Sequence, residues 1–562
     1  MTLTVEEKLA KLRQKMAGLR CNAYYVCIND PHLSEYIPDH FQIIEWLTGF
    51  TGSAGSLVVT DTDAYLWADS RYWEQAAIQL KDSGVQLMKW GEETVPTVLE
   101  WLGAENEKSP IDLLIHDELV SIEQYEKLAD QVETLLGVSH AWLNDLWSDR
   151  PVLETHDVYP HRASVKSAQE KLAQLQQSLK DFCEEQSIPN GALLLTKLDD
   201  IAWLTNLRGS DIAYNPVFLS WALVSGDQAI LFMDQTKIAS DLKDELNRQG
   251  WTLADYRDID REINETINNG ETILFDKSQT NAHFLALTQG QFENWAHPIP
   301  LWKSIKEPEE IEGLKLAMKR DGDALTAFIE ELRERLAAGE YLTENDAVEI
   351  LHQKRLLQEN FISESFSTIA AVNANAALPH YEPQPGKGAP ITPPCVLLVD
   401  SGAHYHEGTT DTTRVWFLGD PNEFKEDLAL LKQDYTAVLT GMQALATHTF
   451  PVGTRGIDLD KVARQPILET GIDYGHGTGH GIGLTLNVHE TPPTISPRET
   501  KGTMTPLEPG MIMSDEPGIY RPGRWGIRIE NTLVCVDKGN GMLGFENLTT
   551  CPIETVLVNQ IG

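Results

Sequence analysis

Two stretches of the chain repeat the same order of apolar and polar positions. EEKLAKLRQKMAGL and SAQEKLAQLQQSLKDF place apolar residues three and four apart, which predicts an amphipathic helix at the head of each stretch. Downstream, IEWLTGFTGS (Ile44 to Ser53) and IAWLTNLRGS (Ile201 to Ser210) align without a gap. Each is followed by an apolar strand-like run ending in an aspartate, AYLWADSRY and AILFMDQTK. A period of about 160 residues is far too long for a solenoid, so the pattern predicts duplication of a whole α/β domain.

The pattern changes after LWKSIKEPEEIEGLKLAM, where Pro308 falls in the first turn of a long helix. This predicts a first α/β domain over 1–160, a second over 161–304 and a third, different domain over 305–562. The third contains short β-patterned runs, VLLVDSG, GTTDTTRVWF, MIMSDEPGIY and GIRIENTLVCV, with glycine or proline nearby.

Composition narrows the class. The 562 residues, 41% hydrophobic and 23% charged, suit a soluble multidomain protein. A formal net charge of -39 argues against nucleic acid or anionic membrane as partners and is compatible with attracting cationic peptide N-termini. No apolar h-region opens the chain and no 18-residue apolar span occurs in it, so a cytoplasmic protein is expected. Six scattered cysteines lack metal-ligand spacing and read as reduced, buried thiols.

Each β-patterned run of the third domain holds an acid: Asp400, Asp411, Glu516 and Glu530. A single acid near a strand end is ordinarily a solvated turn residue. Four acids on apolar strands without lysine partners are costly unless a multivalent cation sits among them. Asp400 ends the run from Cys395 to Val399 and Asp411 opens the next strand, so one hairpin can bring both together. Glu516 and Glu530 repeat the arrangement around PGRWG (Pro522 to Gly526), which suggests a pseudo-twofold site. With His480, the set carries about four negative charges, enough for two divalent cations and a bridging hydroxide. Oxygen-rich ligation favours Mn2+, with Co2+, Zn2+ or Fe2+ as alternatives. His476 and His480 stand four apart, but HGTGHGIG is too rich in glycine for a helical ligand pair, and a loop or strand end fits better. Arg528 precedes Glu530 by two, so on a strand the two share a face and a salt bridge orienting that glutamate is expected.

In the contexts VDSG, TDTTR, GTGHGIG, DEPGIY and RIEN, these five residues resemble the dinuclear metal ligands of the pita-bread metallopeptidases: methionine aminopeptidase, prolidase and aminopeptidase P. LPHYEP around His380 and LNVHE around His489 resemble the X-prolyl aminopeptidase branch, and the duplicated N-terminal region resembles its long, three-domain type. The resemblance implies two related α/β (creatinase N-terminal-like) domains followed by a pita-bread catalytic domain, a multidomain α/β and α+β architecture. It implies Asp411 and Glu530 bridging two metals, Asp400 completing one, and His480 with Glu516 completing the other. It sets His476 against a proline pocket, His380 near the scissile amide and His489 on the tetrahedral intermediate. The activity implied is hydrolysis of an N-terminal Xaa-Pro bond by a hydroxide bridging two divalent metals, Mn2+ foremost, in a homodimer. Glu516 then shuttles a proton to the proline nitrogen. The substrates are peptides with proline in second place.

Prolidase is the alternative, and a non-catalytic peptide binder of the same fold the remoter one. Tyr520, four after Glu516, can offer its hydroxyl to the site or simply pack in the core. Arg71, in DSRYW, is a candidate substrate contact or an ordinary surface arginine, and His404 and His406 are assigned no role. The two N-terminal domains, which offer no ligand set of their own, are expected to limit access and to position longer peptides.

Overall fold

The computed structural model describes residues 3–384, 386–425 and 427–559. The chain forms two compact units. One comprises Met1–Pro160, Lys166–Ala213 and Val217–Ile299; the other comprises His161–Val165, Tyr214–Pro216 and Pro300–Gly562.

The first unit holds two six-stranded sheets. In the first sheet the order is Gln86–Lys89, Ala64–Ala68, Ser56–Thr60, Ala23–Cys27, Asp112–His116, Thr134–Val138. In the second it is Thr252–Asp255, Ala229–Met233, Ser220–Val224, Gly191–Leu195, Thr272–Phe275, Phe292–Asn294. Numbered along each copy, both run 4-3-2-1-5-6, with the same parallel and antiparallel neighbours throughout. The likeness extends to local chemistry. The leading helices Val5–Gly18 and Ala168–Gln186 each start with a capping box, Thr4 with Glu7 and Ser167 with Glu170. The repeated decapeptide ends a helix in both copies with a left-handed residue, Gly49 (φ 80°) and Asn206 (φ 53°). One residue earlier, Thr48 and Thr205 each donate to the carbonyl four residues back at 2.7 Å.

The second unit contains two antiparallel helix pairs, Pro308–Ala337 with Glu344–Leu356 and Leu428–Ala446 with Gly456–Leu468, each followed by antiparallel strands. Its central hairpin pairs Cys395–Ser401 with Thr412–Leu418, and every residue of both strands is buried. Alternate side chains serve different cores. Val396 and Leu398 pack with residues of the Leu428–Ala446 helix, Leu397 and Val399 with those of Pro308–Ala337. Each such residue contributes about 1.5–3 kcal/mol of burial, and that drives the aspartate at the end of the run inside with it. A six-stranded sheet runs Thr449–Pro451, Met542–Asn547, Asn531–Gly539, Ile512–Asp515, Gly479–Gly481, Glu490–Ile495, and a separate hairpin joins Gly518–Arg521 to Trp525–Arg528. Two short segments assigned by periodicity to the second copy belong to this unit: His404 bonds the Tyr214 carbonyl at 2.6 Å, and Glu310 accepts from Ser164 and the Val165 amide.

All six cysteines are free, five buried and Cys27 half-buried. No helix among the described residues is long and apolar enough to cross a membrane.

Candidate metal centre

One hairpin delivers the first two acids. Asp400 faces Thr413 across the ladder, and the pleat carries Asp411, two residues before Thr413, toward the same face. Thr413 then ties in the third acid: its carbonyl accepts the Glu530 amide at 3.1 Å, and its hydroxyl donates to Glu530 Oε2 at 2.6 Å. His480 lies on the strand Gly479–Gly481 and Glu516 directly follows its neighbour Ile512–Asp515, and the two share Ser514. The His480 amide donates to Ser514 Oγ at 3.0 Å, and that hydroxyl donates to Glu516 Oε1 at 3.2 Å. The strands come this close because position 479 has no side chain; a Cβ on Gly479 would lie 2.0 Å from the Ser514 carbonyl oxygen.

The donor atoms converge. Ligating atoms of Asp411, His480 and Glu530 lie within 4.8 Å of one another, and His480 Nε2 stands 3.4 Å from both Asp411 Oδ2 and Glu516 Oε1. Two ligands of one cation, each about 2.1 Å from it, stand at most about 4.2 Å apart, so the 3.4 Å separations from His480 Nε2 fit a shared ion. His480 Nδ1 donates to the Gly481 carbonyl at 2.9 Å, which points Nε2 inward. Asp400 is buried, and its Oδ1 has no hydrogen-bond partner among the described residues. A buried carboxylate oxygen in this state is poised for a cation.

Electrostatics agree. Burial pushes the Glu530 carboxyl well above the usual range, and the charges of Asp411, Glu516 and Asp400 push the same way. Glu516 rises to about 7 through burial, against the pull of His480 and Arg528. Asp400 is raised by burial, with Arg528 opposing. Burial works against charge on His480, yet its bond to Asp411 and the charges of Glu516 and Asp411 carry it up to about 9. These acids crowd negative charge that the Arg528 guanidinium offsets only in part and that divalent cations would neutralise.

Around the centre stand the remaining candidates. Arg528 donates to Asp400 Oδ2 at 2.5 Å and to the Tyr520 hydroxyl at 2.7 Å. The observed partner is therefore Asp400, where the sequence pattern pointed to Glu530: the Trp525–Arg528 strand ends at Arg528, so the same-face rule stops applying before Glu530 is reached. Burial holds the Tyr520 phenol up at about 12 despite Arg528, so it remains a donor. It faces His476 Nε2 at 2.7 Å while His476 Nδ1 faces the Gly477 carbonyl at 2.7 Å. A donor sequence from Arg528 through Tyr520 and His476 to Gly477 fixes one tautomer of that imidazole. His489 is exposed and meets the His480 ring edge-to-face, centroids 4.3 Å apart. His380 is half-buried, one residue after Pro379, whose carbonyl accepts from Arg528 at 3.4 Å.

Metallopeptidase family M24 matches residues 312–537, and the creatinase/prolidase N-terminal domain matches twice, at 8–144 and 149–310. Aminopeptidase P2 of Arabidopsis thaliana is 36% identical over 99% of this chain and 83% of its own length. A probable Xaa-Pro aminopeptidase P of Botryotinia fuckeliana is also 36% identical, covering 100% and 87%. Among solved structures, the X-prolyl aminopeptidase of Caenorhabditis elegans, described as a cytosolic enzyme with a di-nuclear active site, superposes with a TM-score of 0.91 at 31% identity, over 99% of this chain and 92% of that one. The Xaa-Pro dipeptidase of Bacillus anthracis covers only 69% of this chain, with all of its own, at a TM-score of 0.54 and 25% identity. This chain belongs to metallopeptidase family M24, in its aminopeptidase P branch.

For an aminopeptidase P, sequence reasoning passed over several supporting residues. Thr413 and Ser514 donate directly to the candidate ligands Glu530 and Glu516; their one signal was a hydroxyl two positions from an acid, in TDTTR and SDE. In the tandem Asp515–Glu516 the strand alternation sends the two acids opposite ways. Asp515 is fully buried, neither of its carboxylate oxygens is bonded among the described residues, and burial raises its pKa well above normal. Arg71 lies in the first unit, its guanidinium held by Asp69 at 2.9 and 2.7 Å. His404 is buried, bonded to Thr409 at 3.0 Å as well as to Tyr214.

Proposed function

We propose that the convergent acids and His480 hold two divalent cations and that the site removes the first residue from peptides with proline in second place. The observation that carries this reading is the inward-facing donor set, buried yet short of positive charge, in a chain covered end to end by an enzyme of this activity. Asp411 and Glu530 are assigned as bridging ligands, Asp400 to one ion, and His480 with Glu516 to the other. Once bound, the ions would act as Lewis acids and supply a nucleophile from water at neutral pH. Oxygen-rich ligation favours Mn2+, with Co2+ or Zn2+ as alternatives to be told apart by metal analysis.

The protein side of the chemistry follows from placement. The Xaa-Pro bond is a tertiary amide whose ring fixes φ and which has no N–H to donate, so a peptidase that depends on strand-like hydrogen bonding handles it poorly. Here the His476 ring, oriented by Tyr520, is assigned to the proline side. His489, exposed beside His480, donates to the developing oxyanion, a contact worth about 3–4 kcal/mol in comparable sites. His380 is placed at the scissile amide, and Glu516, reached by the Ser514 hydroxyl, passes a proton to the proline nitrogen as it leaves. Arg71 as a substrate contact is the weakest assignment; an unchanged KM in Arg71→Ala would remove it. A cytoplasmic location is supported by the C. elegans enzyme's description. A homodimer rests on the family resemblance, and light scattering reads it directly.

The deciding experiment is metal analysis alongside turnover of Xaa-Pro and Xaa-Pro-Yaa peptides. Cleavage of both, with two metals per chain, is expected. Cleavage of the dipeptide alone would favour prolidase instead.

A further inference from the structure

Among its described residues, the segment carrying His380 forms no helix or strand between Leu378 and the strand beginning at Cys395, yet it is held from behind by a buried acid. Glu344, at the start of the helix Glu344–Leu356, is fully buried, and both its carboxylate oxygens face this segment and its approach. Oε1 accepts from the Val372 amide at 2.8 Å and Asn375 Nδ2 at 2.9 Å; Oε2 accepts from the Tyr381 hydroxyl and the Ala389 amide, both at 2.7 Å. The Glu344 amide in turn donates to the Ala389 carbonyl at 3.0 Å. Asn345 continues the attachment, donating to the Pro383 carbonyl at 3.1 Å and accepting the Gly388 amide at 2.7 Å.

A carboxylate deprived of water is tolerable only when its lone pairs are used. Here its four donors among the described residues come from residues 372–389, and one is the side chain immediately after His380. The helix start thus grips the segment on both sides of the histidine. On the other side of it, Arg528, which also holds Asp400, donates to the Pro379 carbonyl. We infer that Glu344 is a positioning residue: its carboxylate sets the place of His380 relative to the metal ligands while touching neither substrate nor ion. The inference rests on the assignment of His380 to the scissile amide.

Glu344→Gln keeps the shape of the side chain but turns two acceptor positions into donors, so at least one backbone N–H of the segment loses its acceptor. In the full chain loaded with Mn2+, this variant should keep its bound metal and its KM for an Xaa-Pro-Pro peptide. Its kcat should fall about 10- to 100-fold, the range expected when a reacting group is displaced by about 1 Å. A double-variant cycle separates positioning from general damage. If Glu344 acts through His380, E344Q/H380A loses no more than H380A alone; independent, additive losses overturn the inference. Should E344Q fail to fold, Tyr381→Phe removes the one donor adjacent to His380 and runs the same cycle. Full kcat in folded E344Q and Y381F would also overturn it. Full kcat in H380A itself would instead defeat the reading of His380 on which it stands.

Discussion

Asp69, Asp234 and Asp400 each stand at the end of an apolar strand run, and the three have different fates. Asp69 follows Ala64–Ala68 and is neutralised two residues on by Arg71 at 2.7 Å. Asp234 follows Ala229–Met233 and serves as a local cap, accepting the Thr236 amide at 2.9 Å. Asp400 lies at the end of Cys395–Ser401, buried, with one oxygen bound to Arg528 and the other left open. The local sequences are near-equivalent; what differs is the chain that crosses in front. In the N-terminal copies the aspartate meets its own next turn, Asp234 taking in addition a bond from the Thr155 hydroxyl at 3.0 Å. In the catalytic domain it meets the Gly518–Arg521 and Trp525–Arg528 hairpin, which brings a guanidinium from 128 residues away. An acid at a strand end thus becomes part of a site only where another segment denies it a local partner.

The largest effect is expected at the two acids assigned to both ions. Asp411→Asn or Glu530→Gln should lower turnover by about 10³-fold or more, since a Lewis-acid contribution of several kcal/mol is lost, with bound metal falling and the circular dichroism spectrum unchanged. Normal activity in either variant would return these acids to the class of Asp69 and Asp234. His489→Ala should cost about 10²-fold in kcat with KM and metal content nearly unchanged, as expected for a group that serves the transition state. Arg528→Lys should cost about tenfold. One ammonium cannot reproduce the fork that reaches both Asp400 and Tyr520, and a variant with unaltered kinetics would show the fork to be dispensable. Metal removal tests the same contrast through stability. Chelation should lower the melting temperature, and Mn2+ at about 100 times its Kd should restore about 2.7 kcal/mol; a transition indifferent to metal would mean the acids are satisfied without it. At the far end, Asp234→Asn should leave kcat unchanged and shift stability by less than about 0.5 kcal/mol, because asparagine caps as well as aspartate.

The residues legible in the sequence were those whose chemistry conflicts with their local pattern. Acids on apolar runs advertise themselves, and so does a duplicated decapeptide whose threonine and left-handed residue recur in place. What stayed hidden depends on where distant segments cross. Arg528 was read as a partner of Glu530 because a strand was assumed to continue; its actual partner lies on another sheet. Glu344 looks like any acidic residue in the first turn of a helix after Thr343, and nothing within ten residues hints that its carboxylate is buried. The assignment of Tyr214 to the second copy was natural for the same reason, since only the folded chain shows it under His404.

The spread of the donor set along the chain also bears on how the protein matures. Asp400 and Asp411 share a hairpin of two near neighbours in sequence, whereas Glu530 is made some 120 residues later and reaches Thr413 only when its own strand has docked. A ribosome-bound chain therefore exposes half a site, able to hold a cation only weakly, and the full set closes after folding is nearly complete. Which ion the enzyme carries is then decided late, by the ligand chemistry of the closed site together with what the surrounding compartment offers a finished protein. Recombinant material from different growth media should accordingly share one fold and differ in its metal.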